Sequence, residues 1–134
     1  MKFISVEKRR DIILGTFLWN DISFVCEISG FLSPEPVGKI SGALDFDTVV
    51  SCKALSTDHS LGLCRSVDVC EVEICAQVKH LLPAGDGQGI FSLDIGLQDM
   101  YLYLDTGETQ GLLLEVGECI SLLLRGVRFT PYLG

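Results

Sequence analysis

The sequence is short of the residues on which most active sites are built. It contains two histidines, His59 and His80, and one tryptophan in 134 residues. Cations are scarce: ten Lys and Arg stand against eighteen Asp and Glu, a net charge of −8. A single-strand-binding surface interleaves basic residues with aromatics, and a negative field repels phosphate, so this balance argues against nucleic acid as a partner. No apolar run approaches the roughly 20 residues that a membrane-spanning helix needs. The best run near the start, Ile12 to Trp19, is broken by Gly15 and Thr16. It is also a poor secretory leader, because Asn20-Asp21 follows without a small-residue cleavage site. No membrane partner is expected. Prolines number only four and Ser-rich tracts are missing, which argues against disorder.

Signature motifs are missing too. The loop Gly85-Asp86-Gly87-Gln88-Gly89 has the glycines of a phosphate cradle. It has no following Lys-Ser/Thr, and Asp86 places negative charge in it, so a strand-to-strand connection is the expected role. Cysteines occur at 26, 52, 64, 70, 75 and 119. None forms the C-x₂₋₄-C pair that brings two thiolates to one tetrahedral zinc, and no stretch repeats carboxylates at calcium-loop spacing. No metal and no cofactor are expected. Most of the cysteines sit in apolar runs, where a thiol packs as a small hydrophobe. With no export signal and a chain large enough for a real core, the reduced state and a cytoplasmic location follow.

A chain of this length fits one domain over residues 1–134 and can bury about two-thirds of its unfolded surface without a staple. Short apolar stretches punctuated by Gly and Pro predict about eight to ten strands. Residues 5–18 are ambiguous. Ser5 could cap a helix over Val6 to Leu18, but Gly15 and the cluster of Ile, Phe and Trp favour a strand over 11–19. Alternation predicts a strand over Ile22–Ile28, a loop over Gly30–Pro36 and a strand over Leu44–Val50. The clearest pattern is Cys70 to Val78, with Val72, Ile74, Ala76 and Val78 on one face and Glu71, Glu73 and Gln77 on the other. Val67 and Val69 fall in the opposite phase, which predicts a β-bulge near Val69-Cys70. Thr57–Gly62 and Pro83–Gly89 read as loops. Phe91–Leu97, Tyr101–Asp105, Cys119–Leu124 and Val127–Tyr132 read as strands. The fold class is all-β, with room for one short helix, arranged as a small β-barrel, OB-like or similar, or as a two-sheet β-sandwich.

Tyr101-Leu-Tyr-Leu-Asp-Thr-Gly-Glu108, followed by Leu114-Glu-Val-Gly-Glu-Cys-Ile-Ser-Leu122, resembles the closing strands of OB-fold and TOBE-like small barrels. The resemblance covers about the last third of the chain and implies architecture only; no functional residue is carried over from it.

The charge is unevenly placed. Residues 1–10 carry a net +3 and residues 125–134 a net +2, which leaves −13 for residues 11–124. Asp45 with Asp47 and Glu71 with Glu73 are carboxylate pairs at strand spacing, each expected on one face of its strand. Such pairs serve as a solvated face, a surface for a basic partner, or an acid–base site. The expectation is a non-enzymatic acidic protein that engages a basic protein partner through Asp45, Asp47, Glu71 and Glu73, as an inhibitor, an immunity-type protein or an adaptor subunit. One alternative is an OB-like module that binds single-stranded nucleic acid or a small anion through Tyr101, Tyr103, Arg125 and Arg128. Another is a small enzyme with a cysteine or carboxylate site in a barrel mouth, for which Asp58-His59 and Cys64 are the nearest approach to a base and nucleophile. No catalytic residue is assigned. An exposed edge strand would allow a homodimer.

Overall fold

The computed structural model describes residues 1–29, 38–39, 42–55, 60–85, 88–97 and 100–132, without the side chains of 38, 39 and 84. Twelve strands are present among them: β1 Lys2–Arg9, β2 Ile12–Trp19, β3 Ile22–Ile28, β4 Gly38–Lys39, β5 Gly42–Asp45, β6 Thr48–Leu55, β7 Gly62–Asp68, β8 Glu71–Gly85, β9 Gln88–Leu97, β10 Met100–Asp105, β11 Cys119–Arg125 and β12 Arg128–Pro131. The only helical piece among the described residues is a 3-10 turn at Thr106–Glu108. One sheet has the order β4-β1-β2-β3-β12-β5; the other runs β10-β9-β8-β11-β6, with β7 also on β8. All pairs are antiparallel except β12 on β3. Neither sheet closes on itself among the described residues, so the all-β expectation holds as two open sheets.

Alternation along the strands creates one shared core. The first sheet supplies aromatics: Phe17 lies 5.6 Å from Phe3, 5.5 Å from Phe24 and 5.2 Å from Phe129 between ring centroids. The second supplies aliphatics, among them Ile74, Leu93, Ile95, Leu102, Ile120 and Leu122, all buried. Residues 5–18 fall in β1 and β2 rather than a helix. At Gly15 a Cβ would meet Ile28 Cδ1 at 2.6 Å, so this glycine makes room for a core side chain across the sheet. Asn20 and Asp21, with φ of 54° and 62°, close the β2–β3 hairpin in the left-handed geometry that two-residue hairpins prefer.

Three expected features take a different form. The single strand over Leu44–Val50 is two strands, β5 and β6, broken at Phe46 and Asp47, where the chain passes from one sheet to the other. Val69-Cys70 itself is the hairpin turn between β7 and β8, and the irregular pairing lies just upstream, where the β7–β8 register shifts between Ser66 and Asp68. Cys70 there has φ +60°; its N–H donates to Val25 O (2.8 Å) and its carbonyl accepts from Val127 N–H (3.0 Å). The turn thus stitches one sheet to the other. The loop Pro83–Gly89 is largely strand, because β8 runs to Gly85 and β9 begins at Gln88. Pro83 is tolerated because β11 pairs with β8 only as far as Gln77, and proline's missing N–H costs no ladder bond on an unpaired edge. The expected loop Gly30–Pro36 lies outside the described residues, as do Thr57, Asp58 and His59 of the expected loop Thr57–Gly62.

Candidate functional site

The four carboxylates singled out from the sequence are distributed by the topology against arginines. Arg128 of β12 is the register partner of Asp45 on β5. Its Nη2 lies 3.2 Å from Asp45 Oδ2, and its Nη1 donates to Asp47 Oδ1. Asp45 and Asp47 are therefore not two residues on one face of one strand; they converge from either side of the Phe46 break onto one guanidinium. The two carboxylates hold the Arg128 guanidinium above its ordinary pKa, mainly through the hydrogen bond that Arg128 donates to Asp47. Glu71 and Glu73 do share the outer face of β8. Glu71 Oε2 is 3.6 Å from Arg125 Nε, and Glu73 Oε2 is 3.0 Å from Arg65 Nε. Both pairs follow from register, Arg125 with Glu71 and Arg65 with Glu73. Three of the four acidic candidates are thus partners of the two cationic candidates, and the fourth, Glu73, pairs with Arg65.

Tyr101 and Tyr103 are exposed on the outer face of β10, beside Asp94 and Ser92 of β9. From Tyr101 the row continues through Asp94 and Gln77 to Cys119. Arg125 is six residues farther along β11, about 25 Å from Tyr101 at ordinary strand spacings. Arg128 belongs to the other sheet. The structure brings the arginines to the carboxylates and leaves the tyrosines apart from them.

A cavity of about 410 Å³ beside the outer face of β8 is lined by Cys64, Glu73, Cys75 and Ser121 together with Leu55 and Ser60. It is the natural place for a cysteine or carboxylate chemistry. Burial pushes the Cys75 thiol up to about 11, with the neighbouring Cys64 and Cys119 adding to the shift. Burial also raises Cys64, reinforced by Glu73. A nucleophilic thiol requires the opposite shift. Glu73 is occupied by Arg65, and no histidine among the described residues lines the cavity. All six cysteines are free thiols, and no three His, Cys, Asp or Glu side chains among the described residues are placed to hold a metal ion. No described helix is long and apolar enough to cross a membrane.

Another region stands out that motif reading passes over. Residues 80–124 contain seven acids (Asp86, Asp94, Asp99, Asp105, Glu108, Glu115 and Glu118) and no Lys or Arg. Of the five that are described, Asp94 alone makes an ion pair, 3.9 Å from Lys79. Within this stretch the β8–β9 hairpin overshoots its neighbours, since its pairing continues to Gly85 and Gln88. Leu81 faces the same way as its register partner Phe91, but where Phe91 is buried Leu81 is 48% exposed. The connection after the 3-10 turn comes alongside and completes a groove of about 500 Å³, walled by Leu81, Phe91 and Leu112–Leu114 and floored by small and hydroxyl residues from Thr106 to Gly111. Leu113 is 94% exposed and Val116 63%. A leucine so placed is outside any core, and clustered exposed apolar side chains mark interaction surfaces. The signal was present in the sequence as three leucines between Gly111 and Gly117 within a cation-free run.

The chain matches no protein-family model, no curated protein and no solved structure.

Proposed function

We propose that this chain is a non-enzymatic binding protein that engages a basic protein partner, as an inhibitor, an immunity-type protein or an adaptor subunit. The observation that carries this reading is the 45-residue stretch from His80 to Leu124, which has seven carboxylates, no Lys or Arg, and an exposed apolar groove. Asp45, Asp47, Glu71 and Glu73 add to the overall negative field, but their arginine partners offset them locally. The available charge is therefore at Asp105, Glu108, Glu115 and Glu118. Such a field speeds and orients encounter with a cation-rich surface more than it tightens the final complex.

The OB-like and nucleic-acid alternative rests on Tyr101 and Tyr103. It is weakened by Asp94 beside Tyr101 and by the distance to Arg125. The enzyme alternative rests on the Cys64–Cys75 cavity and is weakened by the raised thiols.

The test is association of the full chain with cytochrome c and polylysine, with polyglutamate as control. Raising ionic strength from about 0.01 M to about 1 M shortens the screening length from about 30 Å to about 3 Å. Association rates for the cationic probes should fall steeply over that range. Rates that stay flat, or equal binding to polyglutamate, remove electrostatic steering and with it this reading.

A further inference from the structure

We propose that the groove between the β8–β9 hairpin and the Leu112–Leu114 connection seats one large apolar side chain of the partner, presented within a Lys- or Arg-rich segment. This deepens the reading above and rests on it, since it takes the partner to be basic and names how it is gripped.

The apolar walls come from two independent elements. Leu81 and Phe91 are cross-strand neighbours on the overshooting hairpin, while the leucines at 112–114 arrive on the chain that links β10 to β11. Each wall has an open part among the described residues: Leu81 is 48% exposed where the hairpin has passed the end of β11, and Leu113 is 94% exposed, while Phe91 is buried and Leu112 and Leu114 pack partly against the core.

The leucines are held in place. Thr109 is buried, with its Oγ1 3.1 Å from Thr106 O and 3.0 Å from Leu112 O. Thr106 Oγ1 accepts from Gly89 N–H at 3.2 Å, which ties the turn to β9. The Gln110 amide donates to Val50 O at 2.9 Å and accepts from Cys52 N–H at 3.3 Å, which ties the next residue to β6. At the far end Gly117 N–H donates to Val78 O (2.8 Å) and Val78 N–H to Glu118 O (2.9 Å). A connection fastened at both ends presents its apolar side chains already ordered, which lowers the entropic cost of binding.

The rim sets the chemistry of the occupant. Asp105 and Glu108 flank one end of the leucine run and Glu115 and Glu118 the other, and none of the four is ion-paired among the described residues. Glu108 and Glu118 use one oxygen each to accept the N–H of Asp105 and of Glu115, which fixes their carboxylates in position. An apolar anchor with cations on either side matches apolar walls with anions at either end. A second copy of this chain matches poorly, because each copy carries −8 and like fields repel. The chain's own basic residues Lys8, Arg9 and Arg10 lie at the β1–β2 turn, toward the edge of the first sheet opposite β5, whereas β5 is the strand that packs beside β10.

Two synthetic peptides test this. Both alternate Lys and Ser and carry the same charge; one has Phe at its centre and the other Ser. Titrated into the full chain at moderate salt, the Phe peptide should bind at least about tenfold more tightly, the return expected for burying one large apolar side chain. The double variant Leu81→Ser/Leu113→Ser changes two exposed side chains and should keep its circular dichroism. It should erase the preference for Phe while leaving the Ser peptide's affinity unchanged. Glu108→Gln/Glu115→Gln should weaken both peptides alike. Equal, salt-sensitive binding of the two peptides overturns the groove but leaves the basic partner standing. No binding of either at low salt overturns both. Sedimentation of the chain alone that shows a Leu113-dependent dimer overturns the proposed occupant in favour of a second copy.

Discussion

Carboxylates are deployed in opposite ways in two regions of this molecule. Where β5, β8, β11 and β12 meet, Asp45 and Asp47 share Arg128, and Glu71 holds Arg125, with Glu73 on Arg65 close by. These carboxylates belong to the fold's own register. From His80 to Leu124 there is no Lys or Arg to answer the acids, and apolar side chains stand in water beside them. The first region spends its charge internally; the second presents it. Net charge alone does not separate these cases. Only the pairing does.

A methyl group added to each region should separate the two most strongly. Gly126 has φ +73°, and a Cβ there would overlap the Asp47 carboxylate that Arg128 holds. Gly126→Ala should cost about 2 kcal/mol or more in denaturant unfolding, from backbone strain and the displaced ion pair. In the second region a Cβ on Gly107 meets nothing within 4 Å, so Gly107→Ala should stay within about 0.5 kcal/mol of the parent. Equal costs would show that the ion-paired junction is not tightly built.

A pH scan reads the thiols under the first region. Cys75 sits above its ordinary value of 9.0, at about 11, because burial favours the neutral form. An acid whose folded pKa is raised contributes stability below the unfolded pKa and loses it as pH climbs through the folded one. Unfolding midpoints should therefore be steady up to about pH 9 and fall between about 9 and 11. Thiol labelling of Cys64 and Cys75 at neutral pH should be slow; a fast, low-pH-labelling cysteine would reopen the enzyme alternative.

Only a small loss of stability is expected at Arg128→Ala. Asp45 and Asp47 are 69% and 61% exposed, so solvent screens what the pair contributes, and the loss should be under about 1 kcal/mol. The sharper readout is charge: the variant frees two carboxylates in the first region and should raise its affinity for polylysine, where the parent's polylysine contacts lie in the second.

Much of the fold was legible because period-two alternation in β3, β8, β9 and β10 reports directly which face is buried. What was not legible depended on partners distant in sequence. Leu44 to Val50 alternates as one strand would, yet the chain changes sheets at Phe46-Asp47, and only the pairing of Arg128 with Asp45 explains where. Val69-Cys70 changes phase in a bulge and in a hairpin alike. The candidate carboxylates could be read as a pattern, but their arginines come from 8 to 83 residues away. The groove escaped motif reading because Leu112–Leu114 looks like any short apolar run until the sheet beside it is seen to end.

The most direct measurement is an amide NMR titration of the full chain with the Phe-centred Lys peptide. Resonances of Leu81, Phe91 and the 106–118 connection should move together along one binding curve, while those of Asp45, Asp47, Glu71, Glu73 and Arg128 stay in place. Shifts concentrated at the ion-paired region, with the connection unmoved, would contradict the proposal.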